Sequence, residues 1–361
     1  MAGSVFGTIF RITTWGESHG KAVGVTVDGC PAGIPLDEGQ VQAYLDRRKP
    51  GQSRFATARR EGDQVELLSG VFEGKTTGTP IAMMVRNTDP RSRDYELIRD
   101  VYRPGHGDYG FDAKYGFRDY RGGGRASARE TVGRVAAGAV ACRFLAQYGV
   151  EIRAYTKSIG DVEIDPGRFD LACRDQNPLC MPDPVAAAKA AEYLNRLIKE
   201  QDSAGGVVEC IIDGVPAGLG EPVFDKLDAC LAKAVMSIGA VKGFEVGDGF
   251  AAARSRGSEN NDGFYTGSDG VVRKKTNHSG GILGGISDGG AIVFRAAFKP
   301  TPSIARLQQT VNRAGENVDI AIKGRHDPVV VPRAVVVVEA MAALTVADLL
   351  LAHRCARAAE R

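Results

Sequence analysis

No two cysteines in this chain of 361 residues fall in a C-x-x-C spacing, although seven are present. An odd, scattered set argues against a disulfide framework and against a thiolate metal site, so reduced thiols in a cytoplasmic protein are expected. The five histidines do not fall at zinc-ligand spacings either, and no metal is expected. Net charge is also scarce. A formal value of +2 excludes a chain whose whole surface is a polyelectrolyte, and neither nucleic acid nor membrane is expected as a partner. The N-terminus lacks a basic segment followed by an apolar run, so no signal peptide is read there. One long apolar stretch exists, residues 334–352, and Glu339 and Asp348 interrupt it. An acid in mid-membrane costs about 2.5 to 3.5 kcal/mol on insertion scales, which makes a buried helix the better reading.

What the chain does contain is a repeated pattern. Thr8 to Thr14 alternates apolar and polar residues as a strand does, and Ala22 to Asp28 repeats this with Val23, Val25 and Val27 on one face. Asp37 and Gln40 form a capping-box pattern before a helix that gathers Val41, Tyr44 and Leu45 on one side, and Lys49-Pro50-Gly51 stops it. Farther on, Asp213-Gly214-Val215-Pro216-Ala217-Gly218-Leu219 matches Asp28-Gly29-Cys30-Pro31-Ala32-Gly33-Ile34. Each copy follows an apolar strand and precedes an amphipathic helix, the second carrying Phe224, Leu227, Leu231 and Val235. Gly78-Thr79-Pro80-Ile81 similarly parallels Gly290-Ala291-Ile292-Val293. The reading is one domain over residues 1–361 with an internal duplication, its α+β halves spanning roughly 1–200 and 201–361. Residues 254–277, rich in Gly, Ser, Asn and Asp, read as the least structured part, a mobile loop over a site or a plain surface excursion.

Gly16-Glu17-Ser18-His19-Gly20 fits the G-x-S-x-G pattern of serine hydrolases. That elbow needs a helix after it, and here a strand follows. The segment is then a glycine-flanked turn presenting a hydroxyl and an imidazole, or simply a tight turn facing solvent. Residues 103–134 supply Arg103, His106, Lys114, Arg118, Arg121, Arg125, Arg129 and Arg134 around Gly122-Gly123-Gly124. Ser127 and Glu130 make a capping box for a helix reaching about Tyr148, with Gly149 as its stop. A glycine loop leading into a helix N-terminus is an anion site, because free N–H groups point outward. Arginines placed where helices prefer acids strengthen that reading, although Ser127 also serves as an ordinary N-cap. Arg47, Arg48, Lys49 and Arg54 either complement a helix dipole or clamp a carboxylate or phosphate. Asn277 to Ser287 lets backbone approach a ligand closely, and Lys299-Pro300-Thr301-Pro302-Ser303 offers a cation and two hydroxyls on a stiff turn. Gly324-Arg325-His326-Asp327-Pro328 adds three polar groups in a row. From the residues alone, a hydrolase using Ser18 and His19 and a polyphosphate- or RNA-binding protein using the arginines remain open.

Taken in order, these segments resemble the chorismate synthase family. The matching stretches are Gly16 to Gly20, Arg47 to Arg54, His106 to Thr131, Ser237 to Gly243, Asn277 to Ser287, Lys299 to Ser303 and Arg325 to Pro328, spread over nearly the whole chain. The resemblance implies one α+β domain with helices sandwiched between two antiparallel β-sheets (a β-α-α-β sandwich), assembled as a homotetramer. It implies a lyase that removes phosphate from 5-enolpyruvylshikimate 3-phosphate using reduced FMN, with NADPH as an indirect reductant. By the same resemblance His19 protonates departing phosphate, His106 protonates the flavin, Asp327 works at flavin N5, and Ser18 and Ser127 support them. Arg125, Ala126, Ser127, Gly239, Ala240, Gly284, Lys299, Pro300, Thr301, Pro302, Ser303 and Arg325 match flavin-binding positions. Arg48, Arg54, Arg103 and Arg129 match positions that bind substrate or NADP. Ala126 stands where a serine is also common, and Gly239 where some members have asparagine.

Overall fold

The structure, a computed structural model, describes residues 3–56, 61–88, 98–322, 327–356 and 358. The strands and helices of the first part are β1 (Val5–Phe6), β2 (Arg11–Gly16), β3 (Ala22–Asp28), α1 (Glu38–Arg48), β4 (Val65–Leu67), β5 (Val71–Phe72), β6 (Lys75–Thr76), β7 (Ile81–Arg86), α2 (Asp108–Tyr115) and α3 (Thr131–Ala146). There follow β8 (Glu151–Ile159), β9 (Val162–Glu163), α4 (Pro184–Lys199), β10 (Gly206–Asp213), α5 (Leu227–Met236), β11 (Val241–Val246), α6 (Gly257–Asn260), β12 (Phe264–Thr266) and β13 (Val272–Lys274). The last are β14 (Ile282–Leu283), β15 (Ile286–Ser287), β16 (Ile292–Phe298), β17 (Gln308–Val311), β18 (Asn317–Ile320) and α7 (Val331–His353). The fold is α+β. Two five-stranded antiparallel sheets run in the orders β1-β2-β3-β7-β4 and β11-β16-β10-β8-β9.

Period-two alternation decides which face of each sheet is buried. Val23, Val25 and Val27 of β3 and Ile292, Phe294 and Ala296 of β16 are buried, as the strand patterns require. Helix α3 packs on β3, α7 packs on β8 and β10, and the two helices pack on each other. Glycine sets that last contact: a Cβ on Gly138 would lie 2.3 Å from the Cβ of Ala340 and 2.5 Å from its Cα, so the helix backbones approach where the side chain is missing. The apolar run of α7 is therefore core. Both of its acids are satisfied inside the protein. Glu339 pairs with Arg47 at 2.7 Å and Arg174 at 3.2 Å and accepts the Ala154 N–H at 2.9 Å. Asp348 accepts from the N–H groups of Thr8, Ile9 and Phe10 at 2.8, 2.6 and 2.9 Å. That last contact corrects the strand expected from Thr8. The amides of residues 8–10 serve Asp348 instead of a neighbouring strand, and β2 starts at Arg11.

The Asp37–Gln40 capping box forms as expected, and α1 ends before Lys49-Pro50. The two D-G-x-P-A-G turns carry the same set of bonds. Ile34 N–H donates to Thr76 Oγ1 (3.0 Å), which donates to the Pro31 carbonyl (2.6 Å); Leu219 N–H donates to Ser287 Oγ (2.9 Å), which donates to the Pro216 carbonyl (2.6 Å). Strand register agrees, with Val27 opposite Ile81 and Ile212 opposite Ile292. The counterpart of Gly78 is accordingly Gly289, one residue before the position the sequence suggested; each lies against an alanine of its turn, Ala32 or Ala217. Helix α5 begins at Leu227, leaving Phe224 outside it and exposed.

Residues 254–277 are ordered rather than loose, carrying α6 and the β12–β13 hairpin. Asp262 accounts for this, accepting from Thr276 Oγ1 (2.7 Å) and the N–H groups of His278 (2.8 Å) and Ser279 (2.9 Å). Its burial favours the neutral acid, yet these bonds hold the carboxyl well below its usual range. Lys274, buried beside it, pairs with Asp288 at 2.7 Å.

Candidate active site

The turn between β2 and β3 presents Ser18 and His19. Ser18 is buried, and its Oγ lies 3.1 Å from His19 Nδ1. Asn87, the first residue past β7, donates its amide to the carbonyls of Glu17 (2.9 Å) and Gly20 (2.8 Å) and so clamps both ends of the turn. The glycine loop closes over it. At Gly122, whose φ is +64°, a Cβ would fall 2.4 Å from His19 Cε1 and 2.9 Å from Ser18 Oγ. Only glycine fits that backbone conformation and that approach. A Cβ on Gly123 would lie 3.8 Å from Arg103 Nη2, so the glycine loop runs from the His19 turn past the arginine that precedes the second histidine. The carboxyl of Asp119 is held below its usual value chiefly by hydrogen bonds from Arg121, with a smaller contribution from His19.

Arg103 makes a bidentate pair with buried Asp108, at 2.8 Å for both contacts, and its carbonyl accepts the His106 N–H at 3.2 Å. Burial alone would raise the Asp108 pKa, but the bonds and charge of Arg103 lower it. His106 Nε2 meets Ser303 Oγ at 2.7 Å. Lys299 Nζ donates to the Gly105 carbonyl, and Lys299 N–H donates to that of Ala240 (2.9 Å). Burial, and then the charge of Lys242, lower the Lys299 pKa. Two features beside this lysine suit a phosphate-bearing cofactor. Among the described residues, the buried hydroxyl of Thr301 has no hydrogen-bond partner, and a Cβ on Gly239 would meet nothing within 4 Å. An orphaned donor, a cation and an open backbone face are what an anionic ligand requires. Gly284 is not brought to this group. It turns the β14–β15 hairpin, whose Gly285 carbonyl accepts from Leu227 at the start of α5, whereas Gly239 follows the end of that helix.

Arg48, Arg129 and Arg125 are already committed to partners within the protein. Arg48 donates to Asp63 (2.6 Å), Thr131 Oγ1 (3.1 Å) and the Ala128 carbonyl (3.4 Å) in full burial, which draws its pKa down to about 10. Arg129 binds the other oxygen of Asp63 at 2.7 Å and also reaches Glu61 and the Asn87 side-chain oxygen. Arg125, expected to face a ligand, donates instead to the carbonyls of Gly16 (3.0 Å) and Thr14 (3.1 Å). Ser127 does cap, but it caps a short 3-10 turn, Ala128–Glu130, by accepting from Arg129 N–H at 3.3 Å. Glu130 does not close a capping box; it accepts from Thr14 Oγ1 (2.8 Å) and Arg134 (2.8 Å), and the α-helix itself starts at Thr131. Ala126 lies between Arg125 and this cap in the turn Gly124–Ala126. Asp327 accepts from Arg333 at 2.6 Å, and Arg333 also donates to the Arg48 carbonyl at 3.2 Å. Arg54 is exposed, its guanidinium 4.8 Å from the Phe55 ring centre, beside a cavity of about 710 Å³ lined by Cys173, Leu179 and Pro184. Arg325 lies outside the described residues. Sequence reasoning missed Asp63, Asn87 and Asp108, whose partners no local spacing announces.

The sequence profile of chorismate synthase matches residues 10–351. A chorismate synthase of Lachnoclostridium phytofermentans is 65% identical over 351 residues, covering 97% of this chain and 96% of that protein. Those of Agathobacter rectalis (62% identical, 99% and 97% covered) and Methanosarcina mazei (58% identical, 97% of each covered) are similar along the same span. A crystal structure of chorismate synthase superposes with a TM-score of 0.77 at 34% identity, over 96% of this chain and 93% of that one.

Proposed function

This chain belongs to the chorismate synthase family, and from that premise we propose which of its side chains carry the reaction. Its activity is the anti-1,4-elimination of phosphate and the C6 proton from 5-enolpyruvylshikimate 3-phosphate, giving chorismate at the last common step toward the aromatic amino acids. One observation carries the assignment of roles. His19 and His106 are each engaged by a serine hydroxyl, at 3.1 and 2.7 Å, and are joined through Gly122, Gly123 and Arg103.

His19 is the acid that protonates the departing phosphate. Ser18 meets its ring at Nδ1, 3.1 Å away, and a protonated imidazole gives its proton to the leaving oxygen as a general acid. Reduced FMN fits the second group. Lys299, Thr301 and the Gly239-Ala240 backbone would hold it, with Ala126, Ser127, Pro300, Pro302, Ser303 and Arg325 completing its contacts. The chemistry it supplies when bound is electron density for the breaking C–O bond, returned as product forms. His106, braced by Ser303, would hold the proton that serves the flavin, and Asp327, oriented by Arg333, would act on N5. Arg48, Arg103 and Arg129, each paired with a carboxylate of the protein, lend positive field toward the carboxylates and phosphate of the substrate, and exposed Arg54 is the one of the four placed to contact it or NADPH, an indirect reductant. Arg48 sits deepest, so its part is the wall and field of the pocket. Around this site we read a β-α-α-β sandwich of two duplicated halves, a homotetramer and a cytoplasmic location; the equivalent strand orders and turn bonds support the duplication.

Anaerobic stopped-flow spectra of His19→Ala and His106→Ala test the roles. His19→Ala should bind reduced FMN and turn over about 10²- to 10⁴-fold more slowly. His106→Ala should shift the pH-dependent absorbance of the bound reduced flavin. Wild-type titration and turnover in His106→Ala would remove its assignment.

A further inference from the structure

The two halves differ at one position beside the His19 turn. In the first sheet Ala22 pairs with Arg86, so Asn87 stands one residue past the ladder, opposite Lys21, and its N–H donates to the Lys21 carbonyl at 3.1 Å. That register is what delivers its side chain beneath residues 17–20. In the second sheet Val207 pairs with Ala297 and Gly206 with Phe298, so Phe298 occupies the corresponding place. The turn it adjoins, Asp202-Ser203-Ala204-Gly205, parallels Glu17-Ser18-His19-Gly20 residue for residue, with alanine where the histidine stands. Phe298 is simply buried core. The fold thus fills this position with an apolar ring in the half without the histidine and with an amide in the half that has it.

We propose that Asn87 is a positioning residue of the elimination, its amide holding the Ser18–His19 turn in register with the arginine at the head of the α3 segment. The side chain makes three hydrogen bonds, two donated and one accepted. Both amide hydrogens go to the carbonyls of Glu17 and Gly20, and the oxygen accepts from Arg129 Nε. Those two carbonyls bracket His19, so losing the clamp frees the turn to drift from Gly122. Alignment rather than binding is then lost.

This inference rests on the assignment of His19 as the acid, and the test keeps the two apart. Asn87→Ala should lose kcat on the order of 10²-fold, the scale at which a displacement of about 1 Å degrades alignment, with KM and FMN affinity nearly unchanged. Asn87→Asp retains the acceptor for Arg129 but loses both donors, and it should be no better than Asn87→Ala. Thr76→Val, which removes the side-chain bonds of the distant 31–34 turn, is the control for general weakening of the same half and should keep wild-type kcat. The His19 imidazole signal in nuclear magnetic resonance, assigned by its absence in His19→Ala, should move in both Asn87 variants and not in Thr76→Val. Wild-type kcat in Asn87→Ala, recovery in Asn87→Asp, or an unmoved imidazole signal would overturn the proposal. If instead His19→Ala turns over normally, the acid assignment falls, while the imidazole signal still reports whether Asn87 holds the turn. Should Asn87→Ala fail to fold, Asn87→Ser reads the same quantities.

Discussion

Two basic regions that look alike in the sequence behave differently in the fold. Around Arg48 and Arg129 the cations are buried against Asp63, Glu61 and backbone carbonyls, so their donors are matched from within the protein. At Lys299 to Ser303 one lysine, its own charge already disfavoured by burial, stands beside a threonine hydroxyl that no described residue satisfies. The comparison teaches that a count of arginines measures neither ligand affinity nor free charge. A buried pair is costly to break because one charge is left uncompensated, whereas an unmatched donor awaits a partner.

The largest test of that contrast is Arg48→Ala. Removing one member of a buried pair should cost on the order of 3 to 5 kcal/mol in urea denaturation, toward the lower end because Arg129 still binds Asp63. An unchanged urea midpoint with collapsed substrate affinity would move Arg48 into the ligand-facing group. Next, Lys299→Ala should leave stability within about 0.5 kcal/mol while FMN binds about 10- to 100-fold more weakly, the worth of a bond to a charged group. Fluorescence titration of the flavin measures this, and equal losses of stability and affinity would erase the distinction between the regions. Thr301→Val should act in two directions. Affinity for FMN falls about fivefold, and the unliganded protein gains up to about 1 kcal/mol because a buried unsatisfied hydroxyl is gone. The smallest effect is in pH. The Lys299 pKa is lowered, so the folded protein binds fewer protons than the unfolded chain between that value and the ordinary lysine range. Stability should therefore drift up through this alkaline window while flavin affinity drifts down as the charge disappears. Affinity that is flat across the window would exclude Lys299 as the anion's partner.

The sequence made local features legible. Strand β3 falls on the residues its alternation marks, the Asp37–Gln40 box caps α1, and the buried helix read from residues 334–352 is α7. Site residues were read largely from resemblance, and the structure gathers His19, His106, Arg103, Lys299 and Ser303 into one connected group. What stayed hidden depends on distant partners. Asp63 meets arginines 15 and 66 residues away, and no periodicity encodes that meeting. Arg125 seemed aimed at a ligand because its neighbours promised a helix start, yet Thr14 and Gly16 carbonyls, over a hundred residues back, take its donors. Residues 254–277 looked loose by composition, and one carboxylate, Asp262, orders them.

The bond between Asp348 and the amides of Thr8, Ile9 and Phe10 joins parts of the chain 340, 339 and 338 residues apart. Synthesis at about 5 to 20 residues per second delivers the first strand long before the acid that anchors its approach. While the chain is still emerging from the ribosome, those three amides have no native acceptor, and the connection between β1 and β2 is unanchored. The fold is locked late, by a residue made 340 positions after the first of the amides it anchors.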